Sequence, residues 1–407
     1  MADINLGVGG ANSASGSYDI DNSLKFESDN TENLTRTPSS ASNQKTWTWS
    51  GWVKYTEPNL SPQTLWAGGT GSGDGSFNFR IDAGQITINT ASTALRESTA
   101  RFRDPSAWYH FVMVMDTTQG TANDRIKVYV NGSQITDFST TNNPSQNADM
   151  GVNSAQLHAL GRRSNAADRY FSGYMAEVNF IDGTALTPTS FGEYDDDSGI
   201  WKPKEYTGSY GTNGFYLDFE DSSSLGADDS GNGNNFTLNN IAAADQATDT
   251  PTNNFCTPLL IQPFNSTDSI SHTEGGTKLT TASGTGWRTN MATMSLSSGK
   301  WYFEAKHPGT IDGDGIMTSI VPTARFGNSA YASFYGGQAS GDGIGWYWDS
   351  TRFRYDDGSA ISPPTNTVNS GDILGIALDM DNNYVYSRIN GGAWHNNGSA
   401  DGDPTSG

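Results

Sequence analysis

The chain has 407 residues with 44 acidic and 23 basic side chains, which gives a formal net charge of −21. Nucleic acids and anionic lipid surfaces are bound through Lys and Arg, so this charge argues against both as partners. The length predicts two or three domains, the single Cys256 excludes an internal disulfide framework, and no apolar run is long enough to insert into a membrane.

Short apolar runs that mostly alternate with polar residues extend along the whole chain. This period of two residues is that of β-strands and not that of helices. The 47 glycines, together with abundant Asn, Ser, Thr and Asp, fit many tight turns between strands. The sequence therefore predicts an all-β protein without a long helix.

Residues 1–17 have the composition of a flexible arm. Their apolar surface is too small to offset the conformational entropy that ordering costs. Arms of this kind become ordered when they lie on a neighbouring chain, so we expect the protein to form a homo-oligomer.

Two strands of the first module are rich in large apolar residues. Trp47 and Trp49 share one face of the first predicted strand, and Trp52 faces the other side. The second strand, Trp108–Met115, is apolar on both faces, which is typical of a central strand that is covered on both sides. Both strands are therefore expected in the core of a sandwich.

Asn-Gly pairs close a predicted hairpin in each half of the chain. The strand Ile126–Val130 is followed by Asn131-Gly132, and Tyr384–Ile389 is followed by Asn390-Gly391. A two-residue hairpin turn needs positive φ at both central positions, which Gly adopts freely and Asn tolerates. The chain is thus predicted to consist of β-sandwiches in tandem.

Six motifs follow one another across residues 18–190, and in this order they resemble the laminin G-like members of the concanavalin A-like group. The resemblance implies a two-sheet jelly roll of about fourteen antiparallel strands. The motifs are Ser23–Phe26, Trp49–Val53, Trp108–His110, Lys127–Gly132, Leu160-Gly161 and Gly173–Asp182.

Residues 191–285 are predicted to form a connector with acidic and aromatic loops. Its string Asp228–Asn235 is similar to the loop that opens laminin G-like domains, although here the string follows such a domain. Two interpretations are open: the string belongs to a partial repeat, or a strand returning from this region completes the first sandwich. We favour the second interpretation.

Four further motifs lie in residues 286–407 and resemble those of a SPRY domain, a bent β-sandwich that binds partners. SPRY domains usually continue for further strands, whereas this chain ends at Gly407. An unpaired sheet edge is costly in an isolated domain, so either the polypeptide is longer or a neighbour supplies the missing strand. The four motifs are Lys300–Glu304, Gly343–Trp346, Ser370–Asp381 and Val385–Gly391.

The whole arrangement resembles large virion proteins of tailed phages from aquatic bacteria, which are tail-fibre-like or structural. The resemblance implies a protein that is assembled in the host cytoplasm, resides in the virion and has other virion proteins as partners. The segments that carry it are Phe180–Pro188, Tyr206–Tyr216, Asp229–Phe236 and Thr250–Phe255.

Catalytic patterns are incomplete in this sequence. Laminarinase-type enzymes share the concanavalin A-like fold and carry Glu-x-Asp-x-x-Glu on one strand, so that a nucleophile and an acid flank the sugar bond. The nearest string, Glu193 to Ser198, lacks the second Glu and is interpreted as a solvated acidic loop. His110 lies in an apolar strand, where a packed, hydrogen-bonded imidazole is favoured over a catalytic base. We predict no catalytic residue and no enzymatic activity.

Calcium is the one candidate cofactor. Laminin G-like domains often hold this ion at a sandwich rim, and oxygen-rich loops supply the ligands that a hard cation needs. The candidate ligands are Asp74 with Asp82 in one loop pair, and Asp228, Asp229 and Asn232 in the connector.

Aromatic residues that stack on sugar rings are the candidates for binding a host surface glycan. These are Trp66 and the run Trp346, Tyr347 and Trp348. Alternate members of such a run share one face, so a core position is the competing interpretation for each of them, and Tyr347 is the one expected to be exposed.

Three hypotheses for the function follow. The first is a non-enzymatic phage virion protein, a tail-fibre or appendage subunit that mediates protein contacts and adhesion to host glycan. The second is a capsid decoration or anchoring protein without receptor binding. The third and least favoured is a glycan hydrolase of laminarinase type.

Overall fold

The computed structural model describes residues 18–57, 60–91, 93–258, 270–281, 290, 292–306, 316–321, 343–348, 354–356, 359–361, 371–395 and 404. The arm predicted for residues 1–17 lies outside these residues. The chain divides into two compact units, one ending at Asn254 and the other beginning at Phe255. The domain boundaries expected at residues 190 and 285 stay predictions.

The described part of the chain is all-β, with four short 3-10 helices at Gly73–Gly75, Ala122–Arg125, Pro188–Ser190 and Ala243–Asp245. No helix in this part is long and apolar enough to cross a membrane.

The described residues of the first unit form eighteen strands, most of which are short. They are β1 (Ser23–Phe26), β2 (Asn33–Arg36), β3 (Thr46–Tyr55), β4 (Gln63–Gly68), β5 (Phe77–Asp82), β6 (Gln85–Thr90), β7 (Ala94–Arg101), β8 (Tyr109–Asp116), β9 (Ile126–Val130), β10 (Ser133–Gln134), β11 (Phe138–Thr141), β12 (His158–Leu160), β13 (Gly173–Asp182), β14 (Gly192–Tyr194), β15 (Trp201–Pro203), β16 (Phe215–Leu217), β17 (Thr237–Asn239) and β18 (Gln246–Ala247).

Two antiparallel sheets of eight strands form a sandwich in this unit. The first sheet has the order β10-β9-β8-β3-β13-β1-β18, with β16 also paired to β13, and the second has the order β11-β7-β6-β5-β4-β12-β2-β17. The hairpin β14-β15 stands apart from both sheets. Strands β16, β17 and β18 all come from the predicted connector, and they pair with β13, β2 and β1.

The core between the two sheets is dominated by aromatic rings. Trp47 meets Phe77 edge-to-face at 5.0 Å between ring centroids, and Trp49 meets Phe79 in the same way at 5.4 Å. Such pairs contribute about 0.5–1.5 kcal/mol beyond the burial of their area. The two strands that meet across the sandwich here, β3 and β5, are therefore held by oriented contacts as well as by burial.

The first sheet is also covered on its outer face. Trp52 and Trp108 pack there with Trp201 of the β14-β15 hairpin, and Val112 and Val114 pack against Phe191. The predicted alternation of Trp47 and Trp49 against Trp52 is confirmed, as is the prediction that Trp108–Met115 is covered on both sides.

The second unit contains nine described strands in three sheets. They are β19 (Ile270–Thr273), β20 (Lys278–Thr281), β21 (Lys300–Lys306), β22 (Ile316–Ile320), β23 (Ile344–Trp348), β24 (Arg354–Asp356), β25 (Ser359–Ile361), β26 (Ile373–Asp379) and β27 (Tyr384–Ile389). Strands β19 and β20 pair with each other, β21-β26-β27 form one sheet, and β22-β23-β24-β25 form another. The core of the unit joins Phe303, Leu374 and Ile376 of one sheet to Trp346 of the other. The likeness to SPRY domains stays a prediction.

The two Asn-Gly turns have the predicted backbone but different partners. Asn131 and Gly132 have φ values of 46° and 80°, and Val130 pairs with Ser133 directly after the turn. Asn390 and Gly391 have φ values of 51° and 70°, but the chain next pairs at His395, opposite Ser387. The prediction of a two-residue hairpin at Asn390-Gly391 is therefore wrong. The Gly392 N–H donates to the Ile389 carbonyl, and the turn continues into a longer loop.

Candidate functional site

His110 on β8 is fully enclosed between a serine and a tryptophan. Its Nδ1 accepts a hydrogen bond from the Trp201 indole at 3.0 Å, and its Nε2 lies 2.8 Å from the Ser50 hydroxyl. Because an indole can only donate, Nδ1 is the bare nitrogen and Nε2 carries the proton that it donates to Ser50. Activation of a serine needs the opposite tautomer, and burial lowers the pKa of His110 to about 3. The predicted packed imidazole is confirmed.

Glu177 on β13 is a buried carboxyl that the sequence did not single out as a site. It adopts φ of 50° where the pairing of β13 with β3 shifts register, and the Tyr18 and Tyr216 hydroxyls donate to its two oxygens at 3.0 and 2.7 Å. The pKa of Glu177 is raised to about 7, mainly by burial, and the charge of Asp218 acts in the same direction. A non-glycine residue at positive φ in a bulge is strained, and the two tyrosine hydrogen bonds help to hold Glu177 in this conformation.

The acidic loop predicted from Glu193 to Ser198 is the tip of the β14-β15 hairpin. Hydrogen bonds from the Ser198 backbone and hydroxyl lower the pKa of Asp195 to about 2. Lys202 lies 3.6 Å from Glu193 and 3.4 Å from Asp195, so both carboxylates are paired on the surface. These contacts agree with the predicted solvated loop.

The same hairpin carries two of the exposed large apolar side chains of the described residues. Tyr194 is 50% exposed and Ile200 is 66% exposed, although both flank the buried Trp201. The ring of Tyr194 meets that of Trp201 edge-to-face at 4.9 Å, and its hydroxyl lies 3.2 Å from that of Ser133. The exposed side chains are thus fixed to the sheet through Trp201.

Two of the four aromatic candidates for glycan stacking lie in hydrophobic cores. Trp66 and Trp346 are each 1% exposed, whereas stacking on a sugar from solvent requires an open ring face. Trp66 packs against Phe180 and Phe215 within the first sandwich. The structure therefore corrects the expectation for these two residues. The side chains of Tyr347 and Trp348 lie outside the described part.

Strand β5 separates the two residues of the first predicted calcium pair. Asp74 lies in the exposed turn Gly73–Gly75 before β5, and Asp82 is the last residue of β5. A strand of this length separates its ends by about 17 Å, which is too far for one cation. Asp82 instead accepts from the Ser61 hydroxyl and lies 3.5 Å from Arg80. The pairing of Asp74 with Asp82 is therefore corrected.

The second predicted calcium loop is held by its own hydrogen bonds. Asp228 accepts from the backbone N–H groups of Tyr216, Ser230 and Asn234 at 2.7–3.0 Å. The Asn232 amide donates to two backbone carbonyls, those of Gly211 and Gly214. Calcium binding by this loop stays a prediction.

Asp229, the third member of this loop, is a carboxyl with a perturbed pKa. Burial raises its pKa to about 6, and Asp218 beside it acts in the same direction. Among the described residues, no group of three His, Cys, Asp or Glu side chains is arranged to hold a metal ion.

One family model matches most of the first sandwich. Residues 28–190 match the laminin G-type family model described as "Concanavalin A-like lectin/glucanases superfamily". This stretch has the concanavalin A-like fold. Strands β16, β17 and β18 lie beyond the matched residues, although they belong to the same two sheets. No curated protein matches the chain at a significant level.

Several solved structures are similar to this chain at low identity. A protein from Bacteroides ovatus that is described as a proposed carbohydrate binder is 17% identical with a TM-score of 0.36, and the match covers 59% of this chain and 66% of that one. A heptameric SAP-like pentraxin from Limulus polyphemus is 16% identical with a TM-score of 0.30, over 42% of this chain and 80% of its own. The CBM40 domain of a Ruminococcus gnavus sialidase has the same identity and TM-score, over 42% of this chain and 96% of its own. Likenesses this distant carry no argument about function.

Proposed function

We propose that the chain is a non-catalytic binding protein of a phage virion, a tail-fibre or appendage subunit that contacts neighbouring virion proteins and adheres to host surface glycan. The observation that carries this proposal is the exposed pair Tyr194 and Ile200 on the β14-β15 hairpin. Aromatic and apolar side chains on a fixed support are typical of protein contact sites, because little side-chain entropy is lost when they are buried.

The attachment of the hairpin supports the same proposal. The Trp201 indole donates a hydrogen bond to His110 inside the sheet. A partner that buries Ile200 would therefore contact an element that is already ordered. The side chains of the first unit considered as catalytic candidates make structural contacts instead. His110 is a neutral, hydrogen-bonded residue, and the hairpin carboxylates Glu193 and Asp195 pair with Lys202. These contacts favour binding over catalysis as the function.

Antibody labelling of phage particles by electron microscopy tests the virion assignment. Label on the tail or its appendages supports the proposal, and label on the capsid shell would favour the decoration protein instead. Particles that lack the chain would overturn both.

Sedimentation of the purified chain tests the contact surface. We expect the wild type to self-associate and the double variant Tyr194→Ser, Ile200→Ser to shift towards monomer, because the exposed apolar surface is lost. The matched control replaces the exposed ion pair Lys45 and Asp149 by Ser. Equal behaviour of the two double variants would remove the hairpin from the proposed contact.

A further inference from the structure

The outer face of the sheet β21-β26-β27 carries aromatic and charged side chains opposite the core of the second unit. Cross-strand register places Tyr302 and Tyr386 on either side of Ala377, and Glu304 and Arg388 on either side of Gly375. Six side chains define this surface, called the aromatic face below: Tyr302, Glu304, Tyr384, Tyr386, Arg388 and Trp394.

Gly375 on the central strand β26 lets side chains from the two neighbouring strands approach its backbone closely. A Cβ atom on Gly375 would lie 2.8 Å from the Tyr302 hydroxyl and 3.2 Å from Cγ of Arg388. Both side chains therefore lie across the backbone of β26 at a place where only glycine leaves room. Side chains from β21 and β27 therefore meet over Gly375 and cover the backbone of β26 there.

A pinned loop adds the tryptophan to this surface. His395 and Ser387 exchange two backbone hydrogen bonds of 2.9 and 3.0 Å, which hold the loop beside β27. Trp394 then lies with its ring centroid 4.3 Å from the guanidinium carbon of Arg388, and the Tyr302 centroid is 5.4 Å from the same carbon. The two rings meet edge-to-face at 5.8 Å between centroids, and the guanidinium lies over both of them.

The polar groups of the aromatic face include one donor without an acceptor. Arg388 donates from Nη2 to the Tyr302 hydroxyl at 3.2 Å, and Tyr302 donates in turn to Glu304. The Nε of Arg388 is shielded from water and has no hydrogen-bond partner. A shielded donor of this kind is costly, so an oxygen supplied by a ligand would improve the arrangement.

Partial exposure leaves three of the four rings accessible. Tyr384 is 45% exposed, and the side chains of Tyr302, Arg388 and Trp394 are partly exposed, whereas Tyr386 is buried. Aromatic faces combined with a few placed donors and acceptors are the chemistry of a small-ligand site. A sugar ring presents C–H groups for stacking and hydroxyls that both donate and accept, which matches rings beside an Arg and a Glu.

The charges on and beside this face nearly cancel. Arg388, Lys300 and Lys306 are opposed by Glu304 and Asp379, and Lys300 and Asp379 are paired at 3.3 Å. The chain as a whole has a charge of −21, which repels polyanions. A neutral ligand therefore fits better than an acidic one.

We propose that the aromatic face binds a neutral saccharide, with Trp394 and Tyr302 as stacking residues and Arg388 and Glu304 as hydrogen-bonding residues. This inference rests on the proposed function, because it names the surface through which host glycan would be held.

Calorimetric titration of the full chain with neutral gluco-, galacto- and mannohexasaccharides tests the site, with an oligouronate as the acidic comparison. We expect one neutral hexasaccharide to bind, and Trp394→Ala to weaken it by about ten-fold or more because the stacking surface is lost. Arg388→Lys keeps the charge but loses the planar fork and should weaken binding similarly. Gly375→Ala keeps Tyr302 and Arg388 in the sequence but should weaken binding, because the added Cβ displaces both side chains.

The matched controls are Tyr206→Ala, a partly exposed tyrosine of the first unit, and Arg125→Lys, an arginine in a 3-10 helix; both should bind like the wild type. Thermal unfolding of each variant separates loss of the site from loss of the fold. Binding that survives in Trp394→Ala, Arg388→Lys and Gly375→Ala overturns the site while leaving glycan adhesion intact. Preference for the oligouronate overturns the neutral assignment, and absence of binding to every saccharide overturns adhesion itself.

Discussion

Lys54 on β3 has none of its side chain exposed and lies 2.8 Å from the Asp249 carboxylate. Lys54→Met should lower the free energy of unfolding of the first unit by about 3–5 kcal/mol, because a buried carboxylate loses its cation. Urea denaturation measures the change. Lys45→Met is the matched control, since the ion pair of Lys45 with Asp149 is exposed, and its cost should stay below about 1 kcal/mol. Equal costs for the two variants would contradict the role assigned to the buried pair.

Glu177 gives the first unit a pH dependence whose sign follows from its environment. Its pKa rises from an ordinary value of 4.5 to about 7 on folding, so the folded state holds the proton more tightly. The stability that this proton contributes is fully present below pH 4.5 and is lost as the pH rises through 7. The Gln side chain of Glu177→Gln cannot titrate. When the pH is raised from 4 to 8, the free energy of unfolding of the variant should therefore increase relative to that of the wild type, by on the order of 3 kcal/mol at most.

Urea denaturation at several pH values measures this difference. Val178→Ala on the same strand adds no titrating group, so its cost should not change with pH over the same range. Parallel stability curves for the wild type and Glu177→Gln would show that the buried carboxyl is not the titrating group.

At the scale of single elements, the β14-β15 hairpin depends on close packing against Trp201. A Cβ atom on Gly192 would lie 2.5 Å from the Trp201 ring, whereas one on Gly120 would meet nothing within 4 Å. Gly192→Ala should therefore cost about 1–3 kcal/mol through overpacking, and Gly120→Ala should be nearly neutral. Chemical denaturation measures the cost, and hydrogen exchange at the Asp195 amide, which donates to the Ile200 carbonyl across the hairpin, shows whether the hairpin has loosened. A neutral Gly192→Ala would mean that Trp201 adjusts without loss.

Long strands were predictable because their side-chain periodicity is unambiguous. The positions of Trp47, Trp49 and Trp52 follow directly from alternation along β3. Strands of two or three residues, such as β12 and β18, carry too little pattern to be recognised without their partners. Trp66 was misplaced because a register shift in β4 turns its ring towards the core, and sequence alone does not reveal such a shift.

At the scale of the whole molecule, the first unit needs chain that lies beyond the recognisable motifs. Strands β16, β17 and β18 extend both of its sheets and follow residue 190, where the family match ends. A fragment of residues 18–254 should unfold cooperatively, whereas a fragment of residues 18–190 should aggregate or remain unfolded, because strand edges on β1, β2 and β13 are left open. Circular dichroism during heating and size-exclusion chromatography compare the two. A well-folded shorter fragment would show that the added strands are dispensable.

Whole-molecule features were the hardest to predict because they depend on contacts between distant parts of the chain. The string Asp228–Asn235 was recognised as a loop, but its hydrogen bonds to residues 211–216 become visible only in three dimensions. The aromatic face was missed for the same reason: Tyr302, Arg388 and Trp394 are far apart in sequence, and cross-strand register brings them together.

The points where the chain enters and leaves the first sandwich are adjacent. The Ile20 backbone N–H donates to the Thr252 hydroxyl at 2.9 Å, and that hydroxyl donates back to the Ile20 carbonyl at 3.0 Å. Tension along the polypeptide would pull on β1 and β18 at neighbouring ends and unzip their bonds one after another instead of shearing them together. Any assembly of such chains would have to transmit mechanical load through contacts between molecules and not along each backbone.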